Sequence, residues 1–397
     1  MVGMRIVINT VLFSYNWMRW NMKKITVLFM ALFLFCLNVN AEDISLATNA
    51  KSALLLEAST GEIIYSKNVK EKSEPASLTK MMSMLLILES IDKGVISWDE
   101  MVTASANASG MGGSQILLET NERMSVEDLF KGVAIASGND AVVALAEKIA
   151  GTEANFVNLM NKRAKELGLK NTYFKNSHGL TTEGHYTTAA DLSVIARELV
   201  KHEELFKYTS LYESYLRENT NRRLWLVNTN KLVRFYEGVD GLKTGYTTSA
   251  GYCLVATAKK NNMRIIAIVM DEPTSEIRNK EVSEMLDYAF AQYELETAID
   301  TSEIVATKEV EKGYLEKIDV VPIEKVTYLK NKMEEKAKID YTIDIKRLTA
   351  PIKKGDVVGS MRVKINNYYE VVNLTVKEDV NKITFFQLLG RKLKIFI

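Results

Sequence analysis

Pro75-Ala76-Ser77-Leu78-Thr79-Lys80-Met81, running on into Met82-Ser83-Met84-Leu85-Leu86-Ile87-Leu88, is the stretch on which the reading of this chain turns. Met81 to Leu88 is apolar, rich in helix formers and free of Pro and Gly, which predicts a buried helix. If Ser77 opens that helix, Lys80 stands one turn further along the same face, within reach of the serine hydroxyl. A serine hydroxyl is a weak nucleophile at neutral pH and needs a neighbouring base, and an attacked carbonyl needs donors for its developing charge. Lys80, as a neutral amine, is the candidate base, and the helix N-terminus adds favourable partial charge near the oxyanion.

Two further short motifs follow in order: Ser137-Gly138-Asn139, between two helix-like segments, and Lys243-Thr244-Gly245, which heads a segment, Tyr252 to Met270, with the composition of a buried strand. Each alone recurs by chance. Their order and context together point to serine acyl transfer.

The chain resembles the low-molecular-mass penicillin-binding proteins of the D-alanyl-D-alanine carboxypeptidase type, the peptidase S11 family. The three motifs stand in the order of the penicillin-binding-protein set. The resemblance runs from about Ala53 to the C-terminus, through Pro75 to Met81, Ala136-Ser137-Gly138-Asn139-Asp140-Ala141, Asn176-Ser177-His178-Gly179-Leu180 and Val239 to Thr247. It implies Ser77 as nucleophile, Lys80 as its base and Ser137 as proton relay to the leaving amine. Lys243, near both Ser77 and Lys80 in the family, would help keep Lys80 deprotonated as a second cation. Asn139 would bond the substrate peptide, while Thr244 and, by position, Arg278 would hold its terminal carboxylate; an idle surface charge is the other reading of Arg278. Gly245 would let substrate backbone approach the strand, and the N–H groups of Ser77 and Tyr246 would form the oxyanion hole. Tyr246 departs from the family's frequent His after Lys-Thr-Gly, so only its backbone role carries over. His178 is a possible accessory group, with a structural loop histidine as the alternative. No Glu-x-x-Leu-Asn follows the second motif, so a class A β-lactamase is not expected, and penicillin should leave slowly.

With 397 residues, 47% hydrophobic, 25% charged and a net charge of +1, the chain has material for two globular domains and offers no electrostatic case for nucleic acid. Met22-Lys23-Lys24, the apolar run Ile25 to Leu37 and Val39-Asn40-Ala41 read as a signal peptide within residues 1–41, with Met22 as the expected true start. Cys36 lies in that signal, leaving Cys253 without an intramolecular partner; it reads as a buried strand thiol. His178, His185 and His202 lack metalloprotease spacing, and neither metal nor cofactor is expected.

Residues 42–298 read as the catalytic domain. Ser125 with Asp128, and Thr188 with Asp191, look like capping boxes starting helices at Val126 and Ala189. Apolar periodicity marks helices over Ala141–Ile149, Phe156–Leu167 and Leu192–Leu199. Strands suit Ser52–Glu57, Glu62–Ser66 and Arg264–Met270. The resemblance supplies the fold name, an α/β (α+β) serine β-lactamase/D,D-peptidase-like domain with an antiparallel sheet beside a helical cluster. Residues 299–378, where Ile339, Tyr341, Ile343 and Ile345 alternate with polar residues, read as a small all-β domain. Residues 379–397 read as an amphipathic helix, either an anchor on the membrane surface or docked on the β domain.

These readings converge on a secreted, extracytoplasmic enzyme attached peripherally to the outer face of the membrane. It would cut the terminal D-Ala from peptidoglycan pentapeptide and be acylated by β-lactams. D,D-endopeptidase action on cross-links and a non-catalytic wall-binding role are the alternatives.

Overall fold

Strand β1 (Ser52–Glu57) sends alternate side chains to opposite faces and is buried on both. Leu54 and Leu56 enter one core, Ala53 and Leu55 another. The computed structural model describes residues 45–366, 368–384, 386, 387 and 389; the expected signal region and the Met22 start lie outside them. With β1 go β2 (Ile63–Lys67), the short pair β3 (Met101–Thr103) and β4 (Arg123–Ser125), the hairpin β5 (Glu213–Leu216) and β6 (Leu224–Val227), then β7 (Val239–Thr247), β8 (Gly251–Lys260) and β9 (Met263–Glu272). Five of them form one antiparallel sheet in the order β2-β1-β9-β8-β7.

The segment Tyr252–Met270, with its buried-strand composition, holds two strands, β8 and β9, and the second is the strand expected over Arg264–Met270. They turn at Asn261-Asn262, where Asn261 takes φ 53°, a left-handed conformation Asn tolerates well. β8 and β9 are buried on both faces and each reads as a near-continuous apolar run, the two separated by the polar Lys259-Lys260-Asn261-Asn262. Ile266, Ile268 and Met270 face the helical cluster; Ile265, Ala267 and Val269 face the last long helix.

Six longer helices complete this part: α1 (Lys80–Asp92), α2 (Val126–Ala136), α3 (Asn139–Ala150), α4 (Glu153–Glu166), α5 (Ala189–Leu199) and α6 (Ser275–Gln292). Residues 80–88 of α1 are all buried, so this helix runs through the interior of the cluster. Ser125 and Thr188 cap α2 and α5, accepting from the N–H groups of Asp128 and Asp191 at 3.1 Å. Only this half of each capping box forms. Asp128 accepts from Lys131, and Asp191 from the Asn171 N–H and Thr172 hydroxyl.

After α6 the chain is all β: β10 (Tyr293–Ile299), β11 (Ala306–Glu311), β12 (Lys317–Pro322), β13 (Val326–Asn331), β14 (Ile339–Ile345), β15 (Leu348–Thr349), β16 (Gly359–Ile365) and β17 (Tyr368–Val376). β10 pairs with β13, and the other six form the sheet β14-β16-β17-β12-β11-β15. The composition change at residue 298 thus falls inside β10, six residues after α6 ends. β14 has the expected alternation but lies at the sheet edge, where Tyr341 and Ile343 stay partly in water. Most of the segment read as an amphipathic helix lies outside the described residues. Within it, Val380 and Lys382 bridge Ile352 and Gly313, and Ile383 is buried, so its start belongs to the β domain.

Candidate active site

Ser77 sits in a 3-10 turn, Ala76–Thr79, and the α-helix proper begins at Lys80 rather than at the serine. A 3-10 turn eclipses residues i and i+3. That brings Lys80 Nζ to 3.1 Å from Ser77 Oγ. The ammonium end of Lys80 is fully buried, 2.6 Å from Asn139 Oδ1 and 2.7 Å from the His178 carbonyl oxygen. Amide and carbonyl oxygens only accept. A neutral Lys80 would spend its two N–H bonds on them and turn its lone pair to the serine hydroxyl. Burial first, then the charge of Lys243, holds Lys80 well below the usual lysine range, with Asp140 pulling the other way.

The second motif is placed by the end of α2. Ser137 adopts φ 61°, turning the chain so that α3 can begin at Asn139. Its hydroxyl is buried without a hydrogen-bond partner among the described residues and faces the same cavity as Ser77. A buried unpartnered hydroxyl costs stability, and such costs concentrate at functional sites. Asn139 was expected on the substrate. In the structure its amide spans Lys80 and the Gly112 carbonyl (2.7 Å), so it fixes the lysine and the 112–114 loop. Asp140, given no role from the sequence, accepts the N–H groups of Ile116, Leu118 and Ala141 and holds that loop down.

The third motif lies inside β7, not ahead of a strand. Lys243 is buried, donates to the Thr244 carbonyl at 3.0 Å, and is brought down to about 7 by burial and by Arg278. Thr244 donates its hydroxyl to Thr229. A Cβ on Gly245 would stand 3.0 Å from the Pro75 carbonyl oxygen and 3.2 Å from Ala76 Cβ. The missing side chain therefore lets β7 press on the turn that carries Ser77, a contact within the protein and not only with a substrate. Tyr246 stacks its ring on Tyr252 (4.3 Å) and remains 55% exposed.

Arg278 is no idle surface charge. It is 5% exposed, lines the Ser77 cavity, and hydrogen-bonds Asn279 Oδ1; among the described residues no ion pair involves it. A buried guanidinium without a carboxylate partner is suited to an incoming anion. The ring of His178, by contrast, points away. Its Nδ1 accepts from the Leu180 N–H, its Nε2 lies 3.5 Å from Glu153, and burial keeps it neutral, near 4. What His178 gives the site is its backbone carbonyl. The adjoining Gly179 (φ 91°) could not carry a Cβ, which would fall 1.8 Å from the Ala76 carbonyl oxygen.

The cavity measures about 610 Å³ and is lined by Ser77, Ser137, Thr244, Gly245, Tyr246 and Arg278 together with Ser114 and Thr229. Sequence reasoning missed Thr229. Its one signal was the polar triplet Asn228-Thr229-Asn230 between apolar segments, where the Asn side chains tie the β6–β7 connection together. The Ser77 hydroxyl, the orphan Ser137 hydroxyl and the buried Arg278 guanidinium line one cleft, with the buried Lys80 amine against Ser77 Oγ, the parts an acyl transfer to serine at a carboxylate-bearing substrate requires.

Residues 38–274 match the family model described as D-alanyl-D-alanine carboxypeptidase, and residues 293–382 match the C-terminal domain of penicillin-binding protein 5. The D-alanyl-D-alanine carboxypeptidase DacF of Bacillus subtilis (strain 168) is 49% identical over 348 residues, covering 87% of this chain and 90% of that one. Among solved structures, penicillin-binding protein 5 from Haemophilus influenzae superposes with a TM-score of 0.69 at 33% identity, over 84% of this chain and 98% of its own. Penicillin-binding protein D2 from Listeria monocytogenes, in its ampicillin-bound form, superposes with a TM-score of 0.55 at 32% identity, over 61% and 98%.

Proposed function

The chain belongs to the D-alanyl-D-alanine carboxypeptidase family, and from that premise we propose that it works by a serine acyl-enzyme on Ser77. It is a penicillin-binding carboxypeptidase of peptidoglycan, and the proposal concerns how this chain's residues perform that reaction. The observation that carries it is the fully buried Lys80 amine 3.1 Å from the Ser77 hydroxyl.

Lys80 Nζ takes the Ser77 proton as Oγ forms a bond to the penultimate D-Ala carbonyl carbon. The N–H groups of Ser77 and Tyr246 receive the oxyanion. As the tetrahedral species collapses, the C–N bond breaks and the proton passes from Lys80 through Ser137 to the departing D-Ala nitrogen. Water then hydrolyses the ester, with Lys80 again the base. Thr244 and Arg278 bind the terminal carboxylate, Lys243 in its charged form, held below about 7, disfavours Lys80 protonation, and Asn139 positions Lys80. A β-lactam carbonyl enters by the same route and leaves the serine acylated.

The signal-like run Ile25 to Leu37 supports export, and the cationic, apolar residues 386–397 support peripheral attachment to the outer face of the membrane. Among the described residues no helix is long and apolar enough to cross one.

A fluorescent penicillin that stays bound after denaturation, mapped by peptide mass to the segment holding Ser77, is the expected result. Label on another residue, or none on folded protein, would overturn the assignment.

A further inference from the structure

We propose that Glu272 and Glu281 share one proton, and that Glu272, the buried neutral acid of this pair, is a positioning residue that leaves the Arg278 guanidinium uncommitted for the terminal carboxylate of the substrate. The proposal rests on the carboxypeptidase reading above and deepens it by assigning what keeps the carboxylate subsite open.

Glu272 ends β9 and is 1% exposed, and among the described residues neither of its carboxyl oxygens receives a hydrogen bond. Glu281 is also buried and stands one turn along α6 from Arg278, on the same face. Its Oε1 accepts from the Thr48 hydroxyl at 3.0 Å and from the backbone and side-chain N–H groups of Asn49 at 2.9 and 2.6 Å. Its Oε2 has the Ala50 N–H at 3.4 Å. The carboxyls of Glu272 and Glu281 stand in hydrogen-bonding contact. Two carboxylates cannot make that contact, because an ionised carboxylate only accepts. One of them carries the proton, and the surrounding donors decide which. Glu281, amply supplied with N–H and O–H groups, keeps the charge; Glu272, with none, is the acid. Burial first, then the bond to Glu281, accordingly raise Glu272 to about 8. Burial opposes the charge of Glu281 too, but the bond from Glu272 and the donors of Asn49 and Thr48 hold it below the usual carboxylate range.

Arg278 is where the shared proton acts. Its guanidinium is buried against the catalytic cavity, has no ion pair among the described residues, and lies within the field of Glu272. Tyr252, the partner of Glu272 across β8 and β9, lines the same cavity. A carboxylate at Glu272 would be an anion inside the protein competing with the substrate for Arg278, whereas the neutral acid is not. The other ionisable groups around Glu272, Glu281 and Arg278 are Asp271 on β9, Tyr252 and Cys253 on β8, Glu276 on α6 and Lys67 on β2. The Lys67 ammonium donates to the Ala47 and Thr48 carbonyls at 2.8 Å, and burial pushes the Cys253 thiol up to about 12. Residues 46–50 carry no ionisable side chain.

The test is the kinetics of D-alanine release from diacetyl-lysyl-D-Ala-D-Ala by the full chain between about pH 6 and about pH 9.5, a range in which that substrate has no titrating group. KM should rise about tenfold by about pH 9, as the fraction of enzyme with Glu272 protonated falls by that factor, with kcat changing less. Glu272→Gln, whose amide still donates to Glu281, should keep its neutral-pH KM across the range. Glu281→Gln, which removes the charge that holds the proton on Glu272, should bring the rise to lower pH. A flat KM in the parent, or a rise that survives Glu272→Gln, would overturn the proposal. A second readout needs no turnover. The folded chain holds one proton more than the unfolded chain between about 4.5 and 8, so this pair makes stability fall with rising pH there, and the denaturant midpoint of Glu272→Gln should lack that fall; the same fall in parent and variant would also overturn it. A parent that shows the fall but releases no D-alanine at any pH would instead remove the carboxypeptidase reading, and with it the role given to Arg278, while the shared proton stands.

Discussion

At the scale of single residues, the proposed mechanism rests on keeping an amine neutral where water cannot reach it. Lys80 and Lys243 are both buried and both held below the usual lysine range. The folded protein therefore binds fewer protons than the unfolded chain between the two lysine values, and stability must rise with pH there. For Lys243 the window runs from about 7 to the ordinary lysine value of 10.5. Lys243→Met should flatten the rise in denaturant midpoint between those limits; an unchanged slope would mean that Lys243 is charged when folded. The same variant should move the acid limb of penicillin acylation to higher pH, because Lys80 loses the cation that disfavours its protonation, and slow acylation by roughly 10² or more. Gly245→Ala tests the packing of strand on nucleophile. Its Cβ would meet Pro75 and Ala76 at 3.0 and 3.2 Å. Acylation should fall about tenfold or more, through sub-ångström displacement of Ser77, with a near-wild-type melting temperature; full activity would show the turn can yield.

At the scale of elements, three chain ends converge: the 3-10 turn before α1, the left-handed turn between α2 and α3, and the exposed end of β7. Gly179 locks the fourth piece, the 176–180 loop, against the first. Gly179→Ala should destabilise the fold by at least ~1–3 kcal/mol, from positive-φ strain alone, and abolish acylation; a folded, active variant would show the loop moves freely. How much of this was legible follows from what the motifs encode. Short-range order was readable: Ser77 and Lys80 are three residues apart and the hydroxyl caps at Ser125 and Thr188 are local. Long-range partners were not. The Asn139 amide meets Lys80 59 residues away and the His178 carbonyl meets it from 98, contacts that neither motif announces. Two-faced burial erases the period-2 pattern in β8 and β9, and the polar Lys259 to Asn262 is the signal that divides them.

At the scale of the whole molecule, residues 380–383 close onto the β domain, which places any membrane-seeking segment after them. A chain ended after Thr384 should fold, bind penicillin and lose membrane sedimentation; retained sedimentation would remove the anchor. On the proposed mechanism the cleft serves one chemical event, the transfer of a D-alanyl carbonyl to Ser77. The most direct measurement is D-alanine release from diacetyl-lysyl-D-Ala-D-Ala by the mature chain beside Ser77→Ala. Release by the parent and none by the variant is the predicted result. Equal release by both would contradict Ser77 as the nucleophile.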